Sequence, residues 1–473
     1  MPRLDTPAYA SALRIARRLH ALGQAAFFAG GCVRDLLLDT TPKDFDVATS
    51  ATPDIVQAAF PHTESVGAHF GVVLVILDDF GQRIATEVAT FRNDGVYTDG
   101  RRPDSVRFSR DPREDVLRRD FTTNGMLLDP LAFEAGDRLD AGPASCVIDY
   151  VGGRGDLERK LIRAIGDPAT RFAEDKLRML RAVRFAARLG FNLEPHTLAA
   201  IRAQAATITQ VSPERIRDEL TRILTEGHAR RGFDLLDETH LLAEVLPEVD
   251  RMQGVQQPPQ YHPEGDVWTH TLMLLDHLKK NEQSYGEIAA SPTLAWGMLL
   301  HDVGKPATFT PPDPAKPNDR IRFNGHVEVG VAIARAILSR LRFSNDDCDQ
   351  ILALIKHHMQ FGDIEKMKRS TLKRFLRLPR FDEHLALHYA DVMSAHGILG
   401  AWNYAQQHLA DLGEDQLKPP LLITGRELIA AGYQPGPQFK LMLTAAEDAQ
   451  LEGQIITPDE GLTMIRNHFG PPH

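Results

Sequence analysis

Apolar and polar positions along this chain follow two different periods, and the change of period divides it. Before residue 150 short runs dominate. Ala26–Ala29 is wholly apolar and ends in a glycine pair, and 44–48, 72–77 and 84–91 carry apolar, partly β-branched residues. Each has the length of a strand rather than a helix. Tyr9–Leu22 has helical spacing instead, and Thr52-Pro53-Asp54 opens a short helix with proline in its first turn. Gly152-Gly153-Arg154-Gly155 reads as a hinge or tight corner. Beyond it the spacing predicts helices over 174–189, 196–206, 213–226, 229–239, 267–280, 293–301, 326–341, 346–359, 370–378 and 383–410. Proline-rich stretches at 256–259 and 311–317 predict exposed loops. Near the end, Thr424–Leu428 predicts a capped helix and Pro435-Gly436-Pro437 a turn. The pattern predicts an α+β protein: a mixed first part, then an all-α remainder.

Composition narrows the class. A chain of 473 residues suits roughly three domains. The net charge of -10 excludes a general polyanion binder, so any nucleic-acid contact must rest on local basic patches. Candidates are 101–119, 158–188 and 364–380; the last holds seven basic residues against Glu365 alone. Cys32, Cys146 and Cys348 are widely spaced with no CxxC, which argues against a disulfide framework or zinc knuckle and for a reducing, cytoplasmic setting. The first residues lack a signal-peptide core, and the longest clean apolar run, Val72–Leu77, is far too short to span a bilayer. No membrane partner is expected.

The chemistry is concentrated in three places in the first half. A glycine pair, Gly30-Gly31, lets backbone N–H groups approach a phosphate, and Arg34 can neutralise it. Lys43-Asp44-Phe45-Asp46 places two carboxylates on alternate positions of a predicted strand, hence on one face. They suit Mg²⁺, which takes hard oxygen ligands, and Glu87 on a later strand is the candidate third carboxylate. Arg119 and Asp120, with Asn124, read either as a helix cap or as a triphosphate clamp. Glu174-Asp175-Lys176-Leu177-Arg178 begins a predicted helix on which Asp175 and Arg178 are surface neighbours. That pair is either an intrahelical ion pair or a base reader. An acceptor beside a donor matches the amino group and ring nitrogen of cytosine and adenine, and mismatches uracil and guanine. Arg181 and Arg184 follow along the same helix.

GGCVRD, KDFD, EVATFRNDGVYTDGRRPDSVRF, RRDFTTN, GGRGDLE and EDKLRMLRAVRFAAR resemble, in that order, the motifs of class II CCA-adding tRNA nucleotidyltransferases, a family shared with bacterial poly(A) polymerases. The resemblance covers roughly residues 20–230. It implies a polymerase-β-like nucleotidyltransferase head (1–150), a helical neck with base- and RNA-binding region (151–245), an HD-type helical domain (246–410) and a helical tail (411–473). It implies that Asp44 and Asp46 hold Mg²⁺, with Glu87 assisting, and that Gly30, Gly31, Arg34, Arg119, Asp120, Glu174, Asp175, Arg178, Arg181 and Arg184 bind CTP or ATP. The 3′-hydroxyl of tRNA would attack the α-phosphorus without a nucleic-acid template. Residues 91–108 resemble the flexible loop of enzymes that complete the A-adding step, and 66–72 resemble the tRNA-type head. Gly125 stands where the family usually has alanine, which predicts a looser local helix. Addition of A alone and poly(A) synthesis are the alternatives.

In the second half His270, His301, Asp302, His326, His358 and Asp391 fall in order on predicted helices. Leu299-Leu300-His301-Asp302-Val303-Gly304-Lys305 resembles the HD metal phosphohydrolases. The imidazole–carboxylate set suits Mn²⁺, Ni²⁺ or Fe²⁺. His358 is preferred over His357 by resemblance only. A main activity as an HD phosphohydrolase, with the head sensing a nucleotide, is the alternative from a different class. The basic stretch 364–380 is a further candidate contact for the tRNA backbone.

Overall fold

The computed structural model describes residues 4–67, 71–79, 81–95, 106–135, 143–279, 288–289, 291–316, 318–413 and 417–472. Much of the predicted 91–108 loop and of the 66–72 segment lies outside them. The chain divides into two compact units, Met1–Asp250 and Arg251–His473. No helix among the described residues is long and apolar enough to cross a membrane, and all three cysteines are free thiols.

The first unit runs α1 (Pro7–Ala21), β1 (Ala26–Ala29), α2 (Gly31–Leu37), β2 (Asp46–Thr49), α3 (Pro53–Ala59), β3 (Thr63–Gly67), β4 (Val72–Asp79), β5 (Gln82–Thr90), β6 (Arg92–Asp94), β7 (Val106–Phe108), α4 (Pro112–Leu117), β8 (Met126–Leu128), α5 (Pro130–Ala135), β9 (Val147–Asp149) and α6 (Gly153–Glu158). Then come α7 (Pro168–Glu174), α8 (Leu177–Leu189), α9 (Pro195–Gln204), α10 (Pro213–Thr225) and α11 (Ala229–Glu238). Seven strands form one mixed sheet in the order β3-β4-β5-β2-β1-β8-β9. β2 lies antiparallel to β1 and parallel to β5. The α+β reading therefore holds.

Local chemistry explains the placement of the site. Thr6 caps α1, and Tyr9, Ala12, Leu13, Ala16 and Leu19 form its buried stripe. Tyr9 and Phe28 meet Phe45 edge-on, with ring centroids 5.4 and 5.2 Å away. Phe45 is 2% exposed, so its neighbours on either side, Asp44 and Asp46, are turned the other way, toward solvent. Burial of such a ring is worth about 2–3 kcal/mol, ample to fix this short segment.

Several expectations need correction. β2 begins at Asp46, so Asp44 lies in the irregular segment before the strand; it is the buried Phe45 anchor that gives the two carboxylates a common side. The helix expected over 174–189 is two, α7 and α8, broken at Asp175, whose backbone is extended at φ −141° and ψ 104°. The helix expected over 383–410 is also two, Phe381–Ser394 and Gly400–Asp411, because Gly397 turns left-handed at φ +71°. The helix at 267 stops at Asp276, and that at 346 passes at His358 into a 3₁₀ turn. Gly152 makes the expected corner at φ +77°, and α6 starts directly after it. Gly125 does not loosen a helix: a methyl there would stand 2.9 Å from Ile165 and from Val151, so close packing requires the glycine.

The second unit is helical. Val267–Asp276, Pro292–Leu300, His326–Arg340, Asn345–His357 and Phe381–Ser394 pack around one site. The tail has the capped helix Gly425–Ala430, in which Thr424 and Glu427 form a capping box. It also has two helices that the spacing did not disclose, Pro437–Glu452 and Pro458–Phe469. Arg374 pairs with Glu447 and Asp448, and Arg377 with Glu447. Lys373 is buried, and Lys366 pairs with Asp363. Much of the basic stretch at 364–380 is thus committed to intramolecular partners.

Candidate functional site

A cavity of about 730 Å³ in the first unit gathers residues from five segments: Gly30, Gly31 and Arg34; Asp44 and Asp46; Arg118, Arg119, Asp120 and Asn124; Asp175, Arg178, Arg181 and Arg184; and Arg222 of α10. Gly30 is left-handed at φ +76°, and a Cβ there would lie 3.2 Å from Arg119 Nη1. Only glycine allows both the turn and that approach.

Asp46 and Glu87 are adjacent across parallel strands, since Val47 is in register with Val88. Asp46 is reachable by solvent but enclosed by the cavity walls; that enclosure, and then the Glu87 and Asp44 carboxylates, push its carboxyl up to about 6. Crowded carboxylates of this kind are a hard-oxygen donor set that a divalent cation neutralises, so the residues fit Mg²⁺. Glu87 borders a neighbouring cavity with Asp44 and Asp46 rather than the arginine-lined one.

The cations of the cavity are held by acids of the protein itself. Asp115, fully buried, pairs with Arg118 and Arg119 at 2.6 and 3.0 Å. Arg34 pairs with Asp35 and donates to Asn124 Oδ1 at 2.7 Å. Asp120 accepts from Phe121 N, from Asn124 Nδ2 and from Arg181, the last at 2.7 Å. Despite burial, the Arg181 guanidinium holds the Asp120 carboxyl below its usual range. Asp120 and Asn124 thus brace the turn. Arg184 is paired with Glu219 at 2.7 Å and with Glu226 at 3.2 Å.

The base-reading pair is arranged differently from the expectation. Asp175 precedes the helix that carries Arg178, so the two form no intrahelical ion pair. Asp175 accepts from Leu177 N at 3.2 Å and pairs with Arg215 of α10 at 3.1 Å. Arg178 pairs with Glu174 at 2.8 Å. Glu174 also holds Arg171, whose guanidinium donates to the Arg118 and Arg119 carbonyls. Both Asp175 and Arg178 line the cavity, each supported by its own partner. Reading the sequence missed Asp115, Arg171, Arg215 and Glu219. For Glu219 a signal existed: it falls on the apolar stripe Ile216–Leu220–Ile223 of α10, where an acid needs a buried cation.

The second unit holds a cavity of about 420 Å³ lined by His301, Asp302, Lys305, His326, His358 and Asp391 among others. His301, His326 and His358 each direct Nδ1 at a backbone carbonyl, of Met298, Phe323 and Ile355, at 2.9, 2.9 and 2.7 Å. That places the proton on Nδ1 and leaves Nε2 as a donor to a metal. His301 Nε2, His326 Nε2 and Asp302 Oδ1 are buried with no hydrogen-bond partner among the described residues. Ligand atoms of Asp302, His326 and His358 lie within 4.8 Å of one another, as do those of His270, His301 and Asp302. The set fits a transition metal. His270 lies between Asp391 at 3.0 Å and Glu264 at 2.7 Å, and these hydrogen bonds outweigh its burial and carry it up to about 9. His262 and Glu264, absent from the sequence-based set, join it through a 2.8 Å contact. His357 packs instead against Phe375 and His384.

Known proteins carry the same parts in the same order. Residues 26–163 match the family described as the poly A polymerase head domain, 190–253 the probable RNA and SrmB-binding site of polymerase A, and 267–395 the HD domain. The CCA-adding enzyme of Levilactobacillus brevis is 30% identical over 459 residues, 95% of each chain. That of Bacillus pumilus is 40% identical over 272 residues, 56% of this chain and 64% of that relative, so the match spans less than two thirds of its length. The solved structure of the Bacillus stearothermophilus CCA-adding enzyme in complex with CTP aligns at a TM-score of 0.71, with 28% identity over 98% of both chains.

Proposed function

The chain belongs to the family of CCA-adding enzymes, and we propose that it builds or repairs the 3′-terminal CCA of tRNA from CTP and ATP without a nucleic-acid template. The observation that carries this reading is one cavity lined together by Asp44 and Asp46, the Gly30–Gly31 turn, Arg34, Arg119, Arg181 and Arg184, and Asp175 and Arg178. The arginines meet the triphosphate, and the glycine turn admits it closely. Asp175 accepts from the amino group of cytosine or adenine while Arg178 donates to the ring nitrogen. Arg215 and Glu174 hold these two groups in position. Asp44, Asp46 and Glu87 would hold Mg²⁺, which when bound supplies charge neutralisation at the attacking and leaving oxygens. The protein's own part is orientation: it sets the 3′-hydroxyl of the RNA in line with the α-phosphorus and the departing pyrophosphate.

The test offers the protein, with Mg²⁺, tRNAs ending before CCA, after C and after CC, with CTP, ATP or both, read at single-nucleotide resolution. Completion of CCA on all three supports the reading. A single A on the CC end alone indicates the A-adding type, long tails indicate poly(A) synthesis, and no extension overturns it.

For the second unit we propose a metal phosphohydrolase site using Mn²⁺, Ni²⁺ or Fe²⁺, favoured by three imidazoles whose Nε2 atoms converge with Asp302. Hydrolysis of a 2′,3′-cyclic phosphate that requires His301 and Asp302 supports it; hydrolysis retained in their alanine variants overturns it. The three free thiols accord with the reducing, cytoplasmic setting that this proposal includes.

A further inference from the structure

Asp44 and Asp46 line two cavities. One is the arginine-rich cavity described above; the other, of about 900 Å³, shares these carboxylates with it and also receives Glu87, Lys43 and Arg83. The two spaces differ in their charge. In the first, Arg34, Arg119, Arg178, Arg181 and Arg184 are each paired with an acid of the protein. In the second, Lys43 and Arg83 are exposed and form no ion pair among the described residues, although Asp78 stands opposite Arg83 in the strand register. Arg83, Ala85 and Glu87 are alternate residues of β5, all exposed, while Thr86 and Val88 between and beyond them are buried. One face of β5 therefore runs from Glu87, beside Asp46, to Arg83. By the rise of a strand that is roughly 13 Å. The first turn of α1, Thr6 to Ala8, borders the same cavity and turns the positive end of a 15-residue helix toward it.

In-line displacement puts the attacking hydroxyl and the departing pyrophosphate on opposite sides of the α-phosphorus, so the two reactants need separate spaces that share the metal-binding carboxylates. The cavity with compensated arginines and base-reading groups takes the triphosphate. We infer that the second cavity receives the 3′-terminal segment of the RNA, its terminal hydroxyl at Glu87, Asp44 and Asp46 and its backbone phosphates along β5, with Lys43 and Arg83 as phosphate contacts that position the attacking end. This assignment rests on the nucleotidyltransferase reading given above. It also accounts for Glu87, which sits on the hydroxyl side and not on the triphosphate side. Contacts to backbone phosphates carry no sequence information, so they serve the RNA end before and after each addition.

The full chain, with Mg²⁺, is tested by steady-state extension of a tRNA transcript ending before CCA, using wild type, Lys43→Ala, Arg83→Ala and Arg83→Lys. Loss of one charged phosphate contact raises the KM for RNA on the order of tenfold in each alanine variant. It also lowers the slope of log KM against log salt by about one contact, while Arg83→Lys keeps most of the affinity and the KM for CTP stays at the wild-type value. The inference is overturned if wild type extends the RNA and the alanine variants keep its RNA KM and salt slope, or if it is the KM for CTP that rises. Failure of the wild type to extend any RNA is a separate outcome, which removes the nucleotidyltransferase reading itself.

Discussion

The two sites of this protein solve the problem of buried polar groups in opposite ways. In the first unit, cations are compensated in advance: Asp115, Asp120, Glu174 and Glu219 each hold an arginine of the cavity, and only the metal-facing carboxylates crowd one another. In the second unit, the buried groups are of the metal-ligand type: Nε2 of His301 and His326 and Oδ1 of Asp302 have no hydrogen-bond partner among the described residues and gather beside one another. The first arrangement compensates the cavity's cations within the protein itself. The second suits the metal ion proposed for it, whose charge these buried donors would meet.

The comparison is broken most sharply by removing a donor. Asp302→Ala leaves His301, Lys305, His326 and His358 without their shared carboxylate. Metal affinity, measured by titration of the purified protein, falls by more than about a hundredfold relative to wild type; an unchanged affinity would mean that the proposed ion is not held there. Next in size is Glu219→Ala in the first unit. It leaves Arg184, 6% exposed, without its nearest partner. Chemical denaturation should show a loss of about 3–5 kcal/mol, and a loss under about 1 kcal/mol would show that the arginine network is not pre-compensated as described.

A smaller effect is expected at the base reader. Arg215→Ala frees Asp175 from its 3.1 Å partner without touching the triphosphate arginines. Discrimination between CTP and UTP, as the ratio of kcat/KM, should fall by ten- to a hundredfold, the equivalent of about 1–3 kcal/mol for buried polar groups left unpaired. An unchanged ratio would remove Arg215 from base selection. The smallest effect is one of pH. Burial lowers the His384 and His388 rings to about 4, so both are neutral in the folded second unit. Because the unfolded chain binds their protons more readily, their contribution is fully present above the ordinary histidine range. It is lost as pH falls from about 6.5 toward 4. Thermal unfolding across that window should show the decline in wild type and a flatter course in His388→Phe; parallel courses would contradict it.

What was legible in the sequence was what local chemistry dictates. The strand before Gly30 and the alternation of Asp44, Phe45 and Asp46 follow from residues a few positions apart, although of the two acids only Asp46 lies in the strand. The break at Asp175 was not legible, because Glu174-Asp175-Lys176 suits a helix, and the departure goes with a partner, Arg215, 40 residues distant. The break at Gly397 was legible in principle: a glycine after His396 in a long helical pattern is a stop signal. Asp115 and Arg171 were hidden for the same reason as Arg215. Their roles consist of contacts with carbonyls and guanidinium groups that meet only in the folded chain.

The measurement that bears most directly on the central claim pairs binding with chemistry in Asp44→Ala/Asp46→Ala. CTP affinity by calorimetry and single-turnover incorporation into tRNA are read on the same preparation with Mg²⁺. The account predicts that incorporation falls by at least about a thousandfold while CTP still binds through the arginines and Asp175, within about tenfold of wild type. Incorporation that survives the double substitution would contradict it.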